Sequence, residues 1–452
     1  MTRNRSAFGT ALLSGVLAIL LASTVLAAGP TEQILYRFQG GSDGDTPLAS
    51  MIADRAGNLY GTTDLGGGSR SCPGGCGTVF ELSPPAAPGG AWAETVLYSF
   101  QGGNDGAYPM TPLIADQAGN LYGTTASGGT GNCVPQGSVG CGTVFELVRP
   151  SSVAGGAWTE HMLYSFQGVP SGRGRGDLAG PNGLVFDGFG NLFGLAYSGG
   201  HCRTDETGTY CYGGAYELTK PSAAGDPWTE RVLYIFDGPT GGPAGPILDK
   251  SGDLYGTVVW GKYGFGEVFR LDAPKATGGA WTKAPVHDFQ GPDGAFPEPG
   301  LVFDSHGNLF GATIGSPGYG SPYGNVYELS PASDGTWSES VVYDFTPYTN
   351  GNEPNGGLIL RGDDHIFGTA SEGGESGAGV VFELTPPATT RGAWNYAVLY
   401  NFTGGAGGAP DFGLTFGLGG ALYGTTPQGG SMTCGSTGGY GDGCGTIFQV
   451  VP

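Results

Sequence analysis

Gly142-Thr-Val-Phe-Glu-Leu147 is one of seven copies of a phrase that recurs along the chain. The other copies fall at 77–82, 213–218, 266–271, 324–329, 379–384 and 445–450. Each copy is accompanied by two further phrases in a fixed order, which in the second repeat read Gly119-Asn-Leu-Tyr-Gly-Thr-Thr125 and Trp158-Thr-Glu-His-Met-Leu-Tyr-Ser-Phe166. A period of roughly 50–70 residues indicates one supersecondary unit that buries its apolar faces against copies of itself.

Four short strands, here called a to d in chain order, are predicted for each repeat. Strand a is the Leu-Ile-Ala-Asp phrase, and a Gly-Asn turn joins it to strand b, Leu-Tyr-Gly-Thr-Thr. A variable loop leads to strand c, Thr-Val-Phe-Glu-Leu, and a Pro/Gly-rich link leads to strand d, such as Thr95-Val-Leu-Tyr-Ser-Phe100. Gly-Asn tolerates the positive φ angles of a tight hairpin. A four-stranded meander that packs between similar sheets is a propeller blade.

The two ends of the repeat region predict a closed ring. The chain after its leader opens with a strand d at 31–38 that has no a, b or c before it, and it closes with a strand c at 445–451 that has no d after it. Pairing these two strands completes one blade and removes exposed sheet edges, which otherwise invite aggregation. We therefore expect an all-β fold, a single seven-bladed β-propeller of four-stranded blades over 31–452.

Composition and the first residues predict export. Residues 1–27 carry two arginines, an apolar run and a small-residue cleavage site, the pattern of a secretory signal peptide. The net charge of −21 argues against nucleic-acid partners and anionic membrane surfaces. We expect a secreted or periplasmic protein, monomeric and without membrane insertion after signal cleavage.

Eight cysteines fall as four close pairs between strands b and c of their repeats. An even number of cysteines in an exported protein indicates disulfides, and a zinc site would need pairs from separate repeats to converge. The expected bridges are Cys72–Cys76, Cys133–Cys141, Cys202–Cys211 and Cys434–Cys444. In a closed ring these four repeats are neighbours, so the disulfides would divide the loop rim into a stapled half and a cysteine-free half.

The phrases D-x-x-G-N-L-Y-G-T-T, G-T-V-F-E-L and V-L-Y-S-F resemble the tandem repeat of the GloVer-type "choice-of-anchor" proteins, exported bacterial proteins of undefined activity. The resemblance covers nearly all of the chain after the leader, and the first half of the repeat is more loosely similar to NHL-type propeller repeats. It implies a C-terminal sorting or anchoring segment. This chain ends at Pro452, directly after its last strand c, so no C-terminal anchor is visible and we expect release into the periplasm or medium.

The variable b–c and d–a loops, which lie together on one rim of a propeller, are the expected location of a binding site. In the stapled half, basic residues that are scarce elsewhere gather and would suit an acidic glycan. The alternative is that they neutralise nearby acids on a solvated rim. These candidate residues are Arg70, Arg173, Arg175, His201 and Arg203.

Aromatic residues mark the cysteine-free half. Trp260 breaks the register of the other six tryptophans, which precede strand d and are expected to pack, so it is a candidate platform for a sugar ring. Its alternative role is to cover the short loop of its own blade. The accompanying aromatic candidates are Tyr263, Tyr319 and Tyr323.

Repeated acids are expected to have structural roles. Asp54 and its counterparts at 116, 187, 249 and 304 end strand a, where aspartate stabilises turns. The glutamate of strand c, as at Glu81, is interpreted in the same way. Loop acids among glycines are candidate Ca²⁺ ligands, although none has the spacing of a calcium loop, and no other cofactor is expected. These are Asp43, Asp45, Asp105 and Asp293.

Three functions remain open. We favour an exported, non-catalytic binding or scaffold protein that recognises a glycan or partner protein through the loop rim, because its acids and bases either repeat in every blade or stand alone. The second is a lyase or hydrolase acting on polysaccharide or lactone at the mouth of the central channel, for which blade 3 supplies the most irregular polar residues. The third is a structural component of a surface layer. A shared fold does not decide among these.

Overall fold

The computed structural model describes residues 31–87, 89–133, 140–151, 156–169, 174–206, 208–223, 225–238, 242–276, 278–315, 322–346, 350–387, 392–405, 407–434 and 443–452. The expected signal peptide at 1–27 lies outside these residues. Seven antiparallel sheets follow one another around a ring, which confirms the seven-bladed propeller. In the described part of the chain, no helix has the length and apolar character needed to cross a membrane.

Each blade contains strands a to d in meander order. From blade 1 to blade 7, strand a is Ile52–Ala53, Ile114–Ala115, Gly174–Phe186, Pro243–Leu248, Val302–Phe303, Ile359–Arg361 and Thr415–Phe416. Strand b is Leu59–Thr63, Leu121–Thr125, Leu192–Asp205, Leu254–Val258, Leu309–Thr313, His365–Ala370 and Leu422–Thr426.

The outer strands follow the same order. Strand c is Thr78–Ser83, Thr143–Val148, Gly214–Thr219, Glu267–Asp272, Asn325–Pro331, Val380–Thr385 and Thr446–Val451. Strand d is Ala93–Ser99, Thr159–Ser165, Thr229–Ile235, Thr282–Asp288, Trp337–Asp344, Asn395–Asn401 and, for blade 7, Thr31–Arg37. Two-residue strands Gly44–Asp45 and Leu65–Gly66 pair with each other, and short 3₁₀ turns lie at Gly103–Asp105 and Leu418–Gly420.

The ring is closed by the first strand of the described chain. Thr31–Arg37 pairs antiparallel with Thr446–Val451, as predicted. Across the junction of blades 7 and 1, the Phe38 ring packs on the Phe80 ring with centroids 5.3 Å apart. The Thr425 hydroxyl of blade 7 donates to the Ala49 carbonyl of blade 1 at 3.3 Å. The first and last strands therefore belong to one blade, which packs against blade 1.

The apolar core lies between blades. At every junction, an aromatic residue that follows strand d packs edge-to-face on an aromatic residue of strand c in the next blade, with centroids between 4.9 and 5.4 Å apart. The six tryptophans in register contact the aromatic residue of strand b in the preceding blade, as Trp158 contacts Tyr60. Their predicted packing role is confirmed.

The repeated acids stabilise local structure. The Asp54 carboxylate accepts the backbone N–H groups of Ala56 and Asn58, both at 2.9 Å, and its counterparts do the same in their own turns. Glu146 of strand c accepts the Tyr122 hydroxyl of strand b at 2.6 Å, whereas Glu81 and Glu328 each accept a serine hydroxyl of their own strand at 3.1 Å. The turn role is confirmed for the aspartates, whereas these glutamates bond within strand c or to a neighbouring strand rather than in turns.

Blade 3 differs from the expected four short strands with long loops. Its strands a and b extend to Gly174–Phe186 and Leu192–Asp205, and Gly208–Cys211 adds a fifth strand. His201 and Arg203, expected in a b–c loop, therefore lie within strand b. Backbone pairing and the Cys202–Cys211 bridge hold this extension together.

Candidate binding site at the mouth of the central channel

One contact, repeated around the ring, fixes the inner ends of the d–a loops. In every blade a proline lies against the glycine that precedes strand c of the preceding blade, so that a Cβ on the glycine would approach the proline Cδ to 3.0 Å or less. This proline belongs to the d–a loop in five blades and to strand a in blades 3 and 4. The seven proline–glycine contacts are Pro47 with Gly445, Pro109 with Gly77, Pro181 with Gly142, Pro243 with Gly213, Pro297 with Gly266, Pro354 with Gly324 and Pro410 with Gly379. The residue after each proline therefore occupies the equivalent position in its blade, here called the ring position.

The residues at this ring position surround a cavity of about 660 Å³, to which all seven blades contribute. This volume lies within the range of about 300–1,000 Å³ that is usual for small-molecule sites. In blades 1 to 7 the ring position is held by Leu48, Met110, Asn182, Ala244, Glu298, Asn355 and Asp411. All of these except Ala244 line the cavity.

The cavity has two unlike sides. Blades 1 to 4 supply mostly apolar groups, including Met110, Leu184 and Tyr197, of which Met110 and Tyr197 are 41% and 39% exposed. Blades 5 to 7 supply the polar group here called the acidic wall, which consists of Glu298, Glu353, Asn355 and Asp411. Polar residues thus occupy the ring position in three consecutive blades, 5 to 7, and also in blade 3, where the residue is Asn182.

Hydrogen bonds join blades 6 and 7 within the acidic wall. The Asn355 Nδ2 group donates to Asp411 Oδ1 at 3.3 Å and to the Ser371 hydroxyl oxygen at 3.2 Å. Ser371 in turn donates to the Glu353 carbonyl at 3.3 Å. The Asn355 Oδ1 atom is buried and has no hydrogen-bond partner among the described residues. An acceptor of this kind is unfavourable unless a ligand or water supplies a donor.

The carboxyl groups of the wall hold protons more strongly than usual. Burial, and then the neighbouring Asp411, raise the pKa of Glu298 to about 7. Burial is also the main cause of the raised pKa of Asp411, and the pKa of Glu353 is raised by burial and then by Glu372 and Asp411. None of the described residues that line the cavity is Lys, Arg or His. Clustered carboxyls with raised pKa values are typical of functional sites.

Two of the aromatic candidates, Trp260 and Tyr323, contact loops that carry residues of the acidic wall. The Trp260 ring is 51% exposed and contacts the Phe296 ring edge-on, with centroids 5.3 Å apart. Phe296 lies two residues before Glu298, so Trp260 stands beside the loop that carries the acidic wall. Tyr263 is 49% exposed and receives the Lys262 ammonium over its ring. Tyr323 is half-buried, and its carbonyl accepts the backbone N–H of Glu353 at 3.1 Å.

Two of the basic candidates meet at one carboxylate. Asp237 contacts His201 Nδ1 at 2.7 Å and the Arg175 guanidinium at 3.7 Å. A bound anion would compete with Asp237 for both groups. The contact agrees with the alternative that the rim bases neutralise nearby acids.

The remaining basic candidates are not brought to this carboxylate by any described contact. Arg70 is exposed on the b–c loop of blade 1, and Arg203 is exposed on strand b of blade 3. Two further candidates, Arg173 and Tyr319, lie outside the described residues. An anion site on this rim stays a prediction.

The candidate calcium ligands have partners within the protein. Asp43 accepts the Tyr36 hydroxyl at 3.0 Å, Asp105 accepts that of Tyr98, and Asp293 accepts an N–H of the His287 ring. Each also accepts a backbone N–H of its own loop. Asp45 is buried and accepts the Thr46 hydroxyl. Binding of Ca²⁺ at these acids stays a prediction.

The predicted disulfides are present: Cys72–Cys76, Cys133–Cys141, Cys202–Cys211 and Cys434–Cys444. Four disulfides indicate an oxidising compartment, as expected for a secreted or periplasmic protein. They lie in four neighbouring blades, so the rim has the expected stapled half. The acidic wall lies in blades 5, 6 and 7, of which only blade 7 has a disulfide.

The acidic wall was missed because the prediction concentrated on the long loops and on the irregular residues of blade 3. A signal is nevertheless present in the sequence. Alignment of the seven repeats on the d–a loop proline places Glu298, Asn355 and Asp411 where blades 1, 2 and 4 have leucine, methionine and alanine. The d–a loops vary in length, so this alignment depends on knowing which proline packs on the neighbouring blade.

Solved structures with related architecture were found at low sequence identity. NanB sialidase from Streptococcus pneumoniae is 11% identical with a TM-score of 0.43, covering 93% of this chain and 70% of that one. The PQQ-bound aldose sugar dehydrogenase from Streptomyces coelicolor is 14% identical with a TM-score of 0.43, covering 79% and 98%. A protein of unknown function from Dyadobacter fermentans is 12% identical with a TM-score of 0.42, covering 93% and 98%. Likeness at this level carries no argument about function.

Sequence comparison identifies the family. No functionally curated protein matches the chain. The family described as the Gloeobacter/Verrucomicrobia repeat matches twice, over residues 21–209 and 201–438. The two matches together cover most of the propeller, in agreement with the recurring phrases. The chain belongs to the Gloeobacter/Verrucomicrobia repeat family.

Proposed function

We propose that this protein is an exported carbohydrate-binding propeller that holds one end of a saccharide in the mouth of its central channel. The observation that supports this most is the two-sided cavity, in which the acidic wall faces an apolar side. A sugar ring presents hydroxyl groups around its edge and C–H groups on its faces. Carboxylate and amide oxygens accept hydrogen bonds from the hydroxyls, whereas apolar side chains cover the C–H face.

Trp260 supports an extended ligand. It is exposed beside the Phe296 loop that leads to Glu298. A second sugar ring that leaves the channel on this side would pass the indole. Tryptophan combines a large apolar face with a polar N–H group, which suits a partly hydrated ligand.

The experiment is a glycan-array screen followed by calorimetric titration of the best ligand. We expect Asp411→Asn to weaken binding about tenfold or more, because hydrogen bonds to a charged acceptor contribute roughly 1.5–3 kcal/mol. The control is Asp364→Asn, which removes one negative charge from an exposed position in the a–b turn of blade 6. A second variant replaces Arg70, Arg175 and Arg203 with alanine. If this variant loses binding while Asp411→Asn retains it, the site lies on the rim and not in the channel mouth. A protein that binds no glycan would refute the proposal.

A hydrolase or lyase that uses the same cavity is the second candidate. The favouring observation is the pair of neighbouring carboxyls, Glu298 and Asp411, both with raised pKa values. A protonated and an ionised carboxyl group side by side supply the acid and base of glycoside cleavage. Release of reducing ends from a bound polysaccharide, abolished by Glu298→Gln, would favour the enzyme. An unchanged ligand after prolonged incubation would favour the binding protein.

A further inference from the structure

We infer that the channel mouth selects a saccharide that carries a free, protonated amine, so that the preferred ligand is an amino sugar rather than a neutral one. This inference rests on the proposed function, because it names the ligand class of the same site. It is carried by the cavity, by the charge of its lining and by the hydrogen-bonding groups that its wall presents.

The ionisable groups among the described residues that line the cavity include carboxyl groups but no cationic group. Three carboxyl groups, Glu298, Glu353 and Asp411, line the cavity, and Glu372 lies close enough to influence two of them electrostatically. No Lys, Arg or His is among the described lining residues. Carboxyl groups withdrawn from water are destabilised unless a positive charge or hydrogen-bond donors compensate them. An ammonium group on the ligand supplies both.

The hydrogen-bonding groups of the wall also match an ammonium group. Ionised carboxylates only accept hydrogen bonds, so the three carboxyl groups that line the cavity offer acceptors and no donors when they are ionised. The donors of the Asn355 amide are already directed to Asp411 and Ser371. An ammonium group has three donors and no acceptor, so it complements this wall better than a hydroxyl, which has one donor.

The size and the opposite side of the cavity favour an organic cation. A single metal ion would leave most of about 660 Å³ unfilled, and it would face apolar groups on the side of blades 1 to 4. A sugar ring fills this space and places its C–H face against Met110 and Tyr197, which are partly exposed there. Calcium takes six to eight oxygen ligands around one point, whereas a cavity with one polar wall offers them on one side.

Release of protons on binding distinguishes a ligand with an ammonium group from a neutral ligand. A nearby positive charge favours the ionised form of a carboxyl group and lowers its pKa. Because the pKa of Glu298 is about 7 in the free protein, this group is largely protonated at pH 6. Binding of an ammonium group at pH 6 should therefore release protons to the buffer, whereas binding of a neutral sugar should release few.

The experiment compares two ligand series of equal length with the full protein, oligosaccharides of glucosamine and of N-acetylglucosamine. Titration calorimetry at pH 6 in two buffers of different ionisation enthalpy measures affinity and proton release together. We expect the glucosamine series to bind at least tenfold more tightly and to release protons. Asp411→Asn should reduce that preference to about threefold or less, while the control Asp364→Asn should retain it.

Each other outcome has a definite meaning. Equal binding of the two series, with no proton release, would overturn the amine inference and leave the channel-mouth binding function standing. Binding of neither series, nor of any other glycan, would refute the proposed function itself. Tight binding of Ca²⁺ alone that is lost in Asp411→Asn, without preference for the amine, would overturn the inference in favour of a cation site.

Discussion

Gly142 in blade 2 leaves the space that the Pro181 ring of blade 3 occupies: a Cβ on Gly142 would lie 2.6 Å from Pro181 Cδ. The φ angle of Gly142 is +91°, a conformation that residues with a side chain rarely adopt. This contact joins two blades and places Asn182 at the channel mouth. Its sevenfold repetition makes it the principal device that orients the lining of the cavity.

Replacing this glycine tests the contact. Gly142→Ala should lower the free energy of unfolding by about 3–4 kcal/mol, since it combines backbone strain with overpacking against Pro181 and the Thr125 carbonyl oxygen. The matched control is Gly278→Ala, where φ is +78° but nothing lies within 4 Å of the added methyl. The control should cost only about 1–2 kcal/mol of backbone strain. If Gly142→Ala and Gly278→Ala lose the same free energy of unfolding in urea denaturation, the close packing around Gly142 does not contribute to stability.

Because the ring is closed, Phe38 should contribute as much to the free energy of unfolding as the equivalent phenylalanines at the other blade junctions. Phe38 is fully buried against Phe80, and Phe100 is buried in the same way against Phe145. Both Phe38→Ala and Phe100→Ala should therefore cost about 3–5 kcal/mol. Phe189→Ala, at a position that is 90% exposed, should cost less than about 0.5 kcal/mol. A small effect of Phe38→Ala on the urea midpoint would indicate that blades 7 and 1 are not joined in solution.

Stability should fall as the pH rises from about 4.5 to about 7. In four blades a glutamate near the start of strand d has a pKa that is raised to about 7, first by burial and then by a nearby aspartate. These glutamates are Glu94, Glu160, Glu230 and Glu339. In each of them one carboxyl oxygen is buried without a described partner. The folded state therefore holds protons that the unfolded state, with its usual glutamate pKa near 4.5, has already lost.

The measurement is the melting temperature between pH 4.5 and pH 8. We expect a decrease of several degrees through this window and little change above it, since linkage ends once both states are ionised. Glu94→Gln cannot ionise and should make the decrease smaller, while Asp364→Asn should not. A melting temperature that rises with pH would contradict the assigned directions of these pKa shifts.

The bridge nearest the ring closure should contribute measurably to stability. Cys434 and Cys444 are ten residues apart and lie against Gly40 in the first d–a loop. Replacing both cysteines with alanine should cost about 2–3 kcal/mol on the chain-entropy estimate for a loop of this length. Urea denaturation measures the loss, and the wild type with reduced disulfides should show at least the same loss. If neither sample is less stable in urea than the oxidised wild type, this bridge does not stabilise the protein.

Most of the fold can be predicted from the repeated phrases of the sequence. The alternation in Thr143–Val148 and the Gly-Asn turns predict strands and hairpins, and the unpaired phrases at 31–38 and 445–450 predict the closing pair. The extension of blade 3 was not predicted, because the glycine-rich stretch Gly174–Phe186 lacks the alternation of a strand. It is a strand because it pairs with Leu192–Asp205, a contact that no local pattern encodes.

The candidate site was only partly predictable. Trp260 is identifiable because it breaks the tryptophan register, and the structure places it against Phe296, two residues before Glu298. The acidic wall depends on Glu298, Asn355 and Asp411, which are more than 50 residues apart in the chain and meet only when the ring is complete. Convergence of this kind follows from tertiary geometry. It becomes visible in the sequence only after the proline contact between blades has fixed the register.

The most direct test of the account is the structure of the protein with a bound glucosamine oligosaccharide. We predict that the ligand lies in the channel mouth, with its ammonium group within hydrogen-bond distance of the Asp411 carboxyl group and a following ring near Trp260. A ligand bound instead across the basic rim at Arg70, Arg175 and Arg203, with the channel mouth free of saccharide, would contradict it.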